Sequence, residues 1–435
     1  MTAKEFFKKA IEMYLLFFVT VHLLFFGFEG YSHIFDAKIV TFFTANTIMI
    51  LFSVFFFFYL RSEENIDVTG IIKSKLSPAH LCVILYLLFC TISAVLSPYF
   101  PETIKGITRY EGLLTVSVYC FTFFITSLIP CTKRYILYAF SCASTLFSAL
   151  CIIQLLSYNP FSLYPDGTTF YDAGVRYTTS FIGTIGNANL SGAFICLALP
   201  FLAVIMIKAE TKLRFLLAIP VTMLTIIAAK MDVDSTMLAL ITTLLLCLPF
   251  ILGFGKKAIV IYYCVLLILL ITFIFYIYNY VPENGMLHEL SEILHGNISD
   301  TFGSGRIRIW KNVLKKIPEA PFFGKGPDTM RRENFEPFQR YYPELGRTMK
   351  TNIDIAHNDF LNILYHQGIF GLLCYIGFIF FVLRSWWKNK SDTIILALGI
   401  AFICYLVQSF FTFSMCLVAP YFWICAGMIV GAIHE

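Results

Sequence analysis

Apolar side chains run almost unbroken through twelve stretches of the chain: residues 11–28, 39–60, 79–97, 110–130, 135–157, 187–207, 213–230, 235–254, 258–281, 359–383, 392–411 and 414–432. A helix needs about 20 such residues to cross the hydrocarbon core of a bilayer, so each stretch is predicted as one crossing. Ser414 and Pro420 interrupt the last two, which leaves open that they form one broken unit. The pattern predicts an all-α fold, a polytopic transmembrane helical bundle of about 12 spans with one large, partly helical external loop. Helices 1–9 fall in residues 1–281, the loop in 282–356, and helices 10–12 in 357–435.

Within the loop, Ile309, Trp310, Val313, Leu314 and Ile317 recur at helical spacing, with Lys311, Lys315 and Lys316 on the other face. Pro318 ends this helix and "FFGKGPD" supplies a turn. Such an amphipathic helix suits either the membrane surface or the packed interior of an external cap. Arg306 and Trp310, four apart, share a face. A guanidinium beside an indole suits a cation–π contact or an anionic, ring-bearing ligand.

Composition agrees with a membrane bundle: 58% of residues are hydrophobic, 14% are charged and 47 are Phe, whereas soluble domains carry about a quarter charged residues. The net charge of +5 includes no lysine/arginine run of the nucleic-acid-binding kind. The first apolar segment lacks a small-residue cleavage site, so it reads as a retained span rather than a signal peptide. No CxxC pair occurs among the thirteen cysteines, which argues for small buried hydrophobes and against a zinc or redox site.

Charge also sets an orientation. With the N-terminus in the cytoplasm, the inside segments hold sixteen basic residues, and the short outside segments hold five: Lys38, Lys105, Arg109, Arg176 and Lys230. This bias predicts that both termini are cytoplasmic and that the long loop lies outside.

Polar groups gather at that outer face: Arg109, Arg176, Lys230 with Asp232 and Asp234, Arg306 and Arg308, His357 with Asn358 and Asp359, and Gln408 with Thr412. A single arginine at a helix end can simply snorkel to the interface. A set of cations on the side where the bias disfavours them points instead to a bound anion such as a diphosphate. Asn187 and Asn189, in "GTIGNANLSG", suit helix capping and stand where a helix N-terminus favours an anion. His366 follows His357 by nine residues and so faces the opposite side of the helix, which makes the two poor co-ligands of one metal. His366 is expected to be a buried, hydrogen-bonded histidine.

Three segments, in this order, resemble the O-antigen ligase and O-antigen polymerase family of bacterial membrane glycosyltransferases: "GTIGNANLSGAF", "GSGRIRIWKNVLKKIPEAPFFGKGPD" and "HNDFLNILYHQGIFGLL". They are similar, respectively, to the family's glycine-asparagine stretch, its Gly-Arg-x-x-x-Trp segment with a Pro-x-x-Gly-x-Gly turn, and its His-Asn-x-x-Leu helix start. The resemblance implies an undecaprenyl-diphosphate-linked glycan donor and a glycan, lipid or protein acceptor, outside the cytoplasmic membrane of a bacterium. It implies no cofactor and no metal, and membrane lipids rather than nucleic acid as surroundings. By resemblance His357 is the base or the acceptor-positioning group and Arg306 binds the diphosphate. Trp310 and Asn189 are candidate substrate-positioning residues, as is Asn358, which capping explains equally.

Two departures stand out. The family often carries Ser-Arg where this chain has "KMDVDSTM", with Lys230 the nearest cation; Arg176 and Arg109 are the candidates to take that phosphate role. The family also often has glutamate at His366, so no role is carried to that residue. A transporter or flippase of lipid-linked oligosaccharides, and a non-catalytic scaffold, are the readings from other classes.

Overall fold

A computed structural model describes residues 3–62, 68–128, 133–156, 158–163, 170–172, 175–177, 183–231, 233–280, 282–283, 285–336, 338–342 and 347–432. Sixteen α-helices lie among them: α1 (Ala3–Phe17), α2 (Ile34–Ser62), α3 (Val68–Lys75), α4 (Pro78–Leu96), α5 (Glu102–Lys105), α6 (Leu113–Leu128), α7 (Arg134–Leu155), α8 (Ala188–Lys208), α9 (Thr211–Lys230), α10 (Asp234–Leu252), α11 (Lys256–Asn279), α12 (Gly285–Leu294), α13 (Phe302–Lys316), α14 (Asp359–Asn389), α15 (Thr393–Ser409) and α16 (Ala419–Gly431).

Each of the twelve apolar stretches coincides with a helix. Eight helices, α2, α4, α7, α8, α9, α10, α11 and α14, are long and apolar enough to cross a membrane; α6, α15 and α16 are shorter apolar helices. The first stretch is α1 continued by a π-helical turn, Phe18–His22.

The fold is all-α as expected, with two short antiparallel hairpins in its connections. β1 (Phe170–Asp172) pairs with β2 (Val175–Tyr177), and β3 (Phe338–Tyr342) pairs with β4 (Arg347–Thr351). Both fall in connections where aromatic and threonine residues favour extended backbone, too short to register against twelve apolar runs. The hairpins aside, the architecture is a helical bundle.

Close helix approach depends on glycine. A Cβ on Gly192 of α8 would lie 2.1 Å from Thr236 Oγ1 of α10, and one on Gly427 of α16 would lie 2.0 Å from Thr126 Oγ1 of α6. Small residues at such crossings are what apolar helices need when lipid is as oily as their partner. One large core runs through α1, α4, α6, α8, α14, α15 and α16. α11 is the opposite case. Val260, Ile261, Leu267, Ile268 and Phe275 are each more than half exposed there, a surface that hydrocarbon solvates and water does not.

α13 uses its apolar face inside the protein. Ile309 and Val313 pack with Met330, Ile353, Ala356 and Tyr365, a cluster that joins the segment before α14 to α14 itself. Of the two roles the sequence leaves open for this helix, the structure assigns packing. The more exposed amphipathic helix is α12, with Met286, Leu287 and Leu290 outward.

Candidate functional site

Two sequence motifs interlock to start the site. Gly368 adopts φ 70° inside α14, which releases backbone groups that the helix would otherwise pair. The "FFGKGP" turn takes them up. The Ile369 N–H donates to the Pro321 carbonyl at 2.9 Å, the Lys325 N–H to the Tyr365 carbonyl at 3.0 Å, and the Gly326 N–H to the His366 carbonyl at 3.0 Å. His366 Nδ1 donates to the Gly326 carbonyl at 2.8 Å, so this histidine is hydrogen-bonded within the protein, as expected, but it is half-buried rather than buried. At the rim of the turn Lys325 and then Lys316, by hydrogen bonds, hold the exposed Glu319 carboxyl below its ordinary range.

One turn before α14 the chain is pinned at Ala356. Its N–H donates to Asn362 Oδ1 and its carbonyl accepts from Trp310 Nε1, both at 2.9 Å. Asn358 caps α14, its side chain accepting from the Leu361 N–H at 2.9 Å. Held between pinned Ala356 and capping Asn358, His357 takes a left-handed backbone, φ 51°, and its ring turns out of the helix. It stands edge-on to Phe413, with ring centroids 5.4 Å apart at 76°.

Phe413 lies in the nine-residue connection 410–418 between α15 and α16, and its ring also carries the Arg109 guanidinium, 4.5 Å from the centroid. Arg109 is fixed from behind. Asp328 accepts from the backbone N–H groups of Thr108 and Arg109, and Asp354 accepts from Arg109 Nη2 at 2.8 Å. Arg109 Nε is buried and finds no hydrogen bond in the protein, an exception to the rule that buried donors are paired.

The connection that carries Phe413 is itself tethered. Asp359 accepts from the Ser414 N–H at 2.8 Å and from its hydroxyl at 2.5 Å. Glu111 accepts from the Cys416 N–H at 2.8 Å, and His22 bonds the Cys416 carbonyl at 3.0 Å. Lys38, wholly buried, caps the His22 and Leu23 carbonyls. A cleft of about 760 Å3 empty volume opens among Arg109, Glu111, Asp354, Asp359 and His366.

The structure therefore brings Arg109, Trp310, His357 and Asn358 together. Arg306 lies one turn before Trp310, its Nη1 donating to the Gly303 carbonyl at 3.1 Å. Asn189 engages through its carbonyl, which accepts from Gln408 Nε2 at 3.2 Å, while Asn187 is the residue that caps α8. Lys230 is exposed at the end of α9, with no contact tying it to His357. Arg176 is in β2, opposite Tyr171; its side chain, and all of Asp232, lie outside the described residues.

Phe413, Ser414, Asp354, Asp328 and Glu111 escape sequence reasoning. The break at Ser414 and Pro420 is the signal that could have led to the first two. Among the described residues no group of three His, Cys, Asp or Glu is arranged to hold a metal ion.

The fold and this cluster define a helical membrane protein with a polar cleft, lined by Arg109, His366 and the carboxylates Glu111, Asp328, Asp354 and Asp359, at one end of its bundle, with His357 beside it across Phe413. Residues 232–376, 145 of the 435, match the family model described as O-antigen ligase. The matched stretch runs from the turn before α10 into α14 and contains Arg306, Trp310, Asp354, His357 and Asn358; Arg109 and Phe413 come from outside it. No curated protein matches the chain.

Proposed function

We propose that the protein is a membrane glycosyltransferase. It moves a glycan from an undecaprenyl-diphosphate-linked donor to an acceptor hydroxyl on the outer side of the bacterial cytoplasmic membrane. The observation that carries this reading is the shared ring of Phe413, which sets the Arg109 guanidinium and the His357 imidazole on one small surface beside the cleft that Arg109 also lines.

His357 takes the proton of the acceptor hydroxyl. The hydroxyl oxygen forms its bond to the anomeric carbon as the bond from that carbon to the diphosphate oxygen breaks, and the leaving electron pair stays on the diphosphate. One in-line displacement inverts the anomeric centre. Arg109, with its free Nε, and Arg306 neutralise the growing charge, the task of preorganised donors in a site that excludes water. Guanidinium supplies this charge without a metal ion. Arg176 and Lys230 are further candidates for the diphosphate or the glycan beyond it. Trp310 offers an indole to a sugar face, and Asn358 serves through the cap that sets His357. The twelve helices are twelve crossings, with both termini cytoplasmic and residues 282–356 outside.

The test is turnover. Purified protein in lipid discs is given an undecaprenyl-diphosphate oligosaccharide, alone and with candidate acceptors. A product ladder from donor alone marks a polymerase, and product only with a foreign acceptor marks a ligase. His357→Ala should lower the rate by about 10²–10⁴-fold, the usual worth of general base catalysis, with donor binding kept. Unchanged turnover in His357→Ala, or donor binding without any product, overturns the reading.

A further inference from the structure

A second space in the bundle takes no part in the site above. It is a slot between α1, α7, α8, α15 and α16, walled by apolar side chains that include Leu15, Phe140, Phe201, Leu398, Ile424 and Met428. Its cavity volume is about 150 Å3, and it is open along one side. Protein interiors leave few voids larger than a water molecule, and a purely apolar space does not recruit water. In a bilayer the material at hand to fill it is hydrocarbon.

The mouth is charged. Lys133 and Arg134, at the start of α7, line the slot and are exposed. Lys9 lies near them, 3.5 Å from Glu12, and Tyr135 donates its hydroxyl to the same carboxylate. Three cations therefore meet one carboxylate that is already held. An apolar slot with a cationic mouth is complementary to a molecule with a hydrocarbon tail and an anionic head.

The position excludes the donor's own head. Ile394, which lines the slot, is the second residue of α15, whereas Phe413 follows the other end of that 17-residue helix, about 25 Å away at 1.5 Å per residue. A lipid whose diphosphate lies beside Arg109 cannot place the same group on Lys133.

We propose that the slot binds one acyl chain of an anionic phospholipid whose phosphate rests on Lys133 and Arg134, at the end of the bundle opposite His357. The lipid fills the gap between α7 and α15 and so stiffens the helices that carry the connection 410–418.

The experiment is lipid retention, read without turnover and so independent of the glycosyl-transfer reading. The full chain is placed in discs of equal phosphatidylglycerol and phosphatidylcholine, extracted into mild detergent and weighed by native mass spectrometry. One phosphatidylglycerol should remain per protein. The double variant Lys133→Glu, Arg134→Glu, altered only at exposed positions, should retain at least tenfold less. Leu398→Trp, which fills the slot and keeps the charges, should lose the lipid as well. Equal retention of the two lipids, parent-level retention in the charge-reversed variant, or displacement by an undecaprenyl diphosphate would each overturn the proposal.

Discussion

At the scale of single residues, the site turns on what a guanidinium can do that an ammonium cannot. Arg109 gives Nη2 to Asp354, sets its guanidinium over Phe413 and leaves Nε without a partner in the protein. Lysine would keep the charge but has no fork and no plane to stack. Arg109→Lys is therefore expected to lower turnover by about ten- to a hundredfold, the equivalent of one charged hydrogen bond at about 1.5–3 kcal/mol. The helical signature in circular dichroism should stay unchanged; turnover within twofold of the parent would remove Arg109 from the diphosphate site. Phe413→Leu separates a wall from a bystander. Leucine keeps a buried apolar side chain but loses the ring on which Arg109 and His357 meet. The expected result is a lower kcat at every donor concentration, with a thermal midpoint near that of the parent.

At the scale of elements, the interlock of the "FFGKGP" turn with the break in α14 makes a stability prediction. Gly368 is at φ 70°, and a Cβ there would lie 2.2 Å from the Phe322 carbonyl oxygen; at Gly324, φ 74°, it would lie 2.4 Å from the His366 carbonyl carbon. Both neighbours are backbone and cannot step aside. Gly368→Ala and Gly324→Ala should each lower the thermal midpoint clearly, by strain at a special φ added to a clash, a class of change that costs more than about 1–3 kcal/mol. Parent-like melting of either variant would mean that the turn and the helix separate freely.

The same locus shows how far the sequence could be read. The two glycine motifs are visible as strings, with Gly324 and Gly368 44 residues apart, but nothing in either string says that one supplies the hydrogen-bond partners of the other. The connection 410–418 is legible only as an interruption. Its buried partners, Asp359 for Ser414 and Glu111 for Cys416, are polar residues in apolar neighbourhoods whose pairing is a fact of tertiary packing. The apolar stretches, by contrast, were legible as helices, within about three residues at most ends and five or more off at α1, α2, α14 and α16, because a helix in hydrocarbon must satisfy its backbone internally and advertises its length in its composition. Trp310 and His357 were found as motif residues; that Ala356 joins them was not.

At the scale of the whole molecule, function depends on which side of the membrane the cleft faces. Sixteen basic residues on one set of short segments against five on the other favour one orientation, and the five include Lys38, which is wholly buried on backbone carbonyls, and Arg109, which Asp354 holds. Removing those two makes the bias sharper, since neither is free to interact with lipid headgroups. Lys315 on α13 and Lys388 near the end of α14 are both exposed, and the reading puts them on opposite sides. In a chain cleared of its native cysteines, Lys315→Cys should react with an impermeant maleimide on intact cells. Lys388→Cys should react only after lysis. The reverse pattern would place His357 in the cytoplasm, where a nucleotide sugar could serve as donor, and would require a different reaction for the same cleft. Labelling of both in intact cells would make the number of crossings between them even rather than odd. Since α14 is the one span between these two positions, that outcome would mean that its 31 residues, broken at Gly368, enter and leave the bilayer on one face.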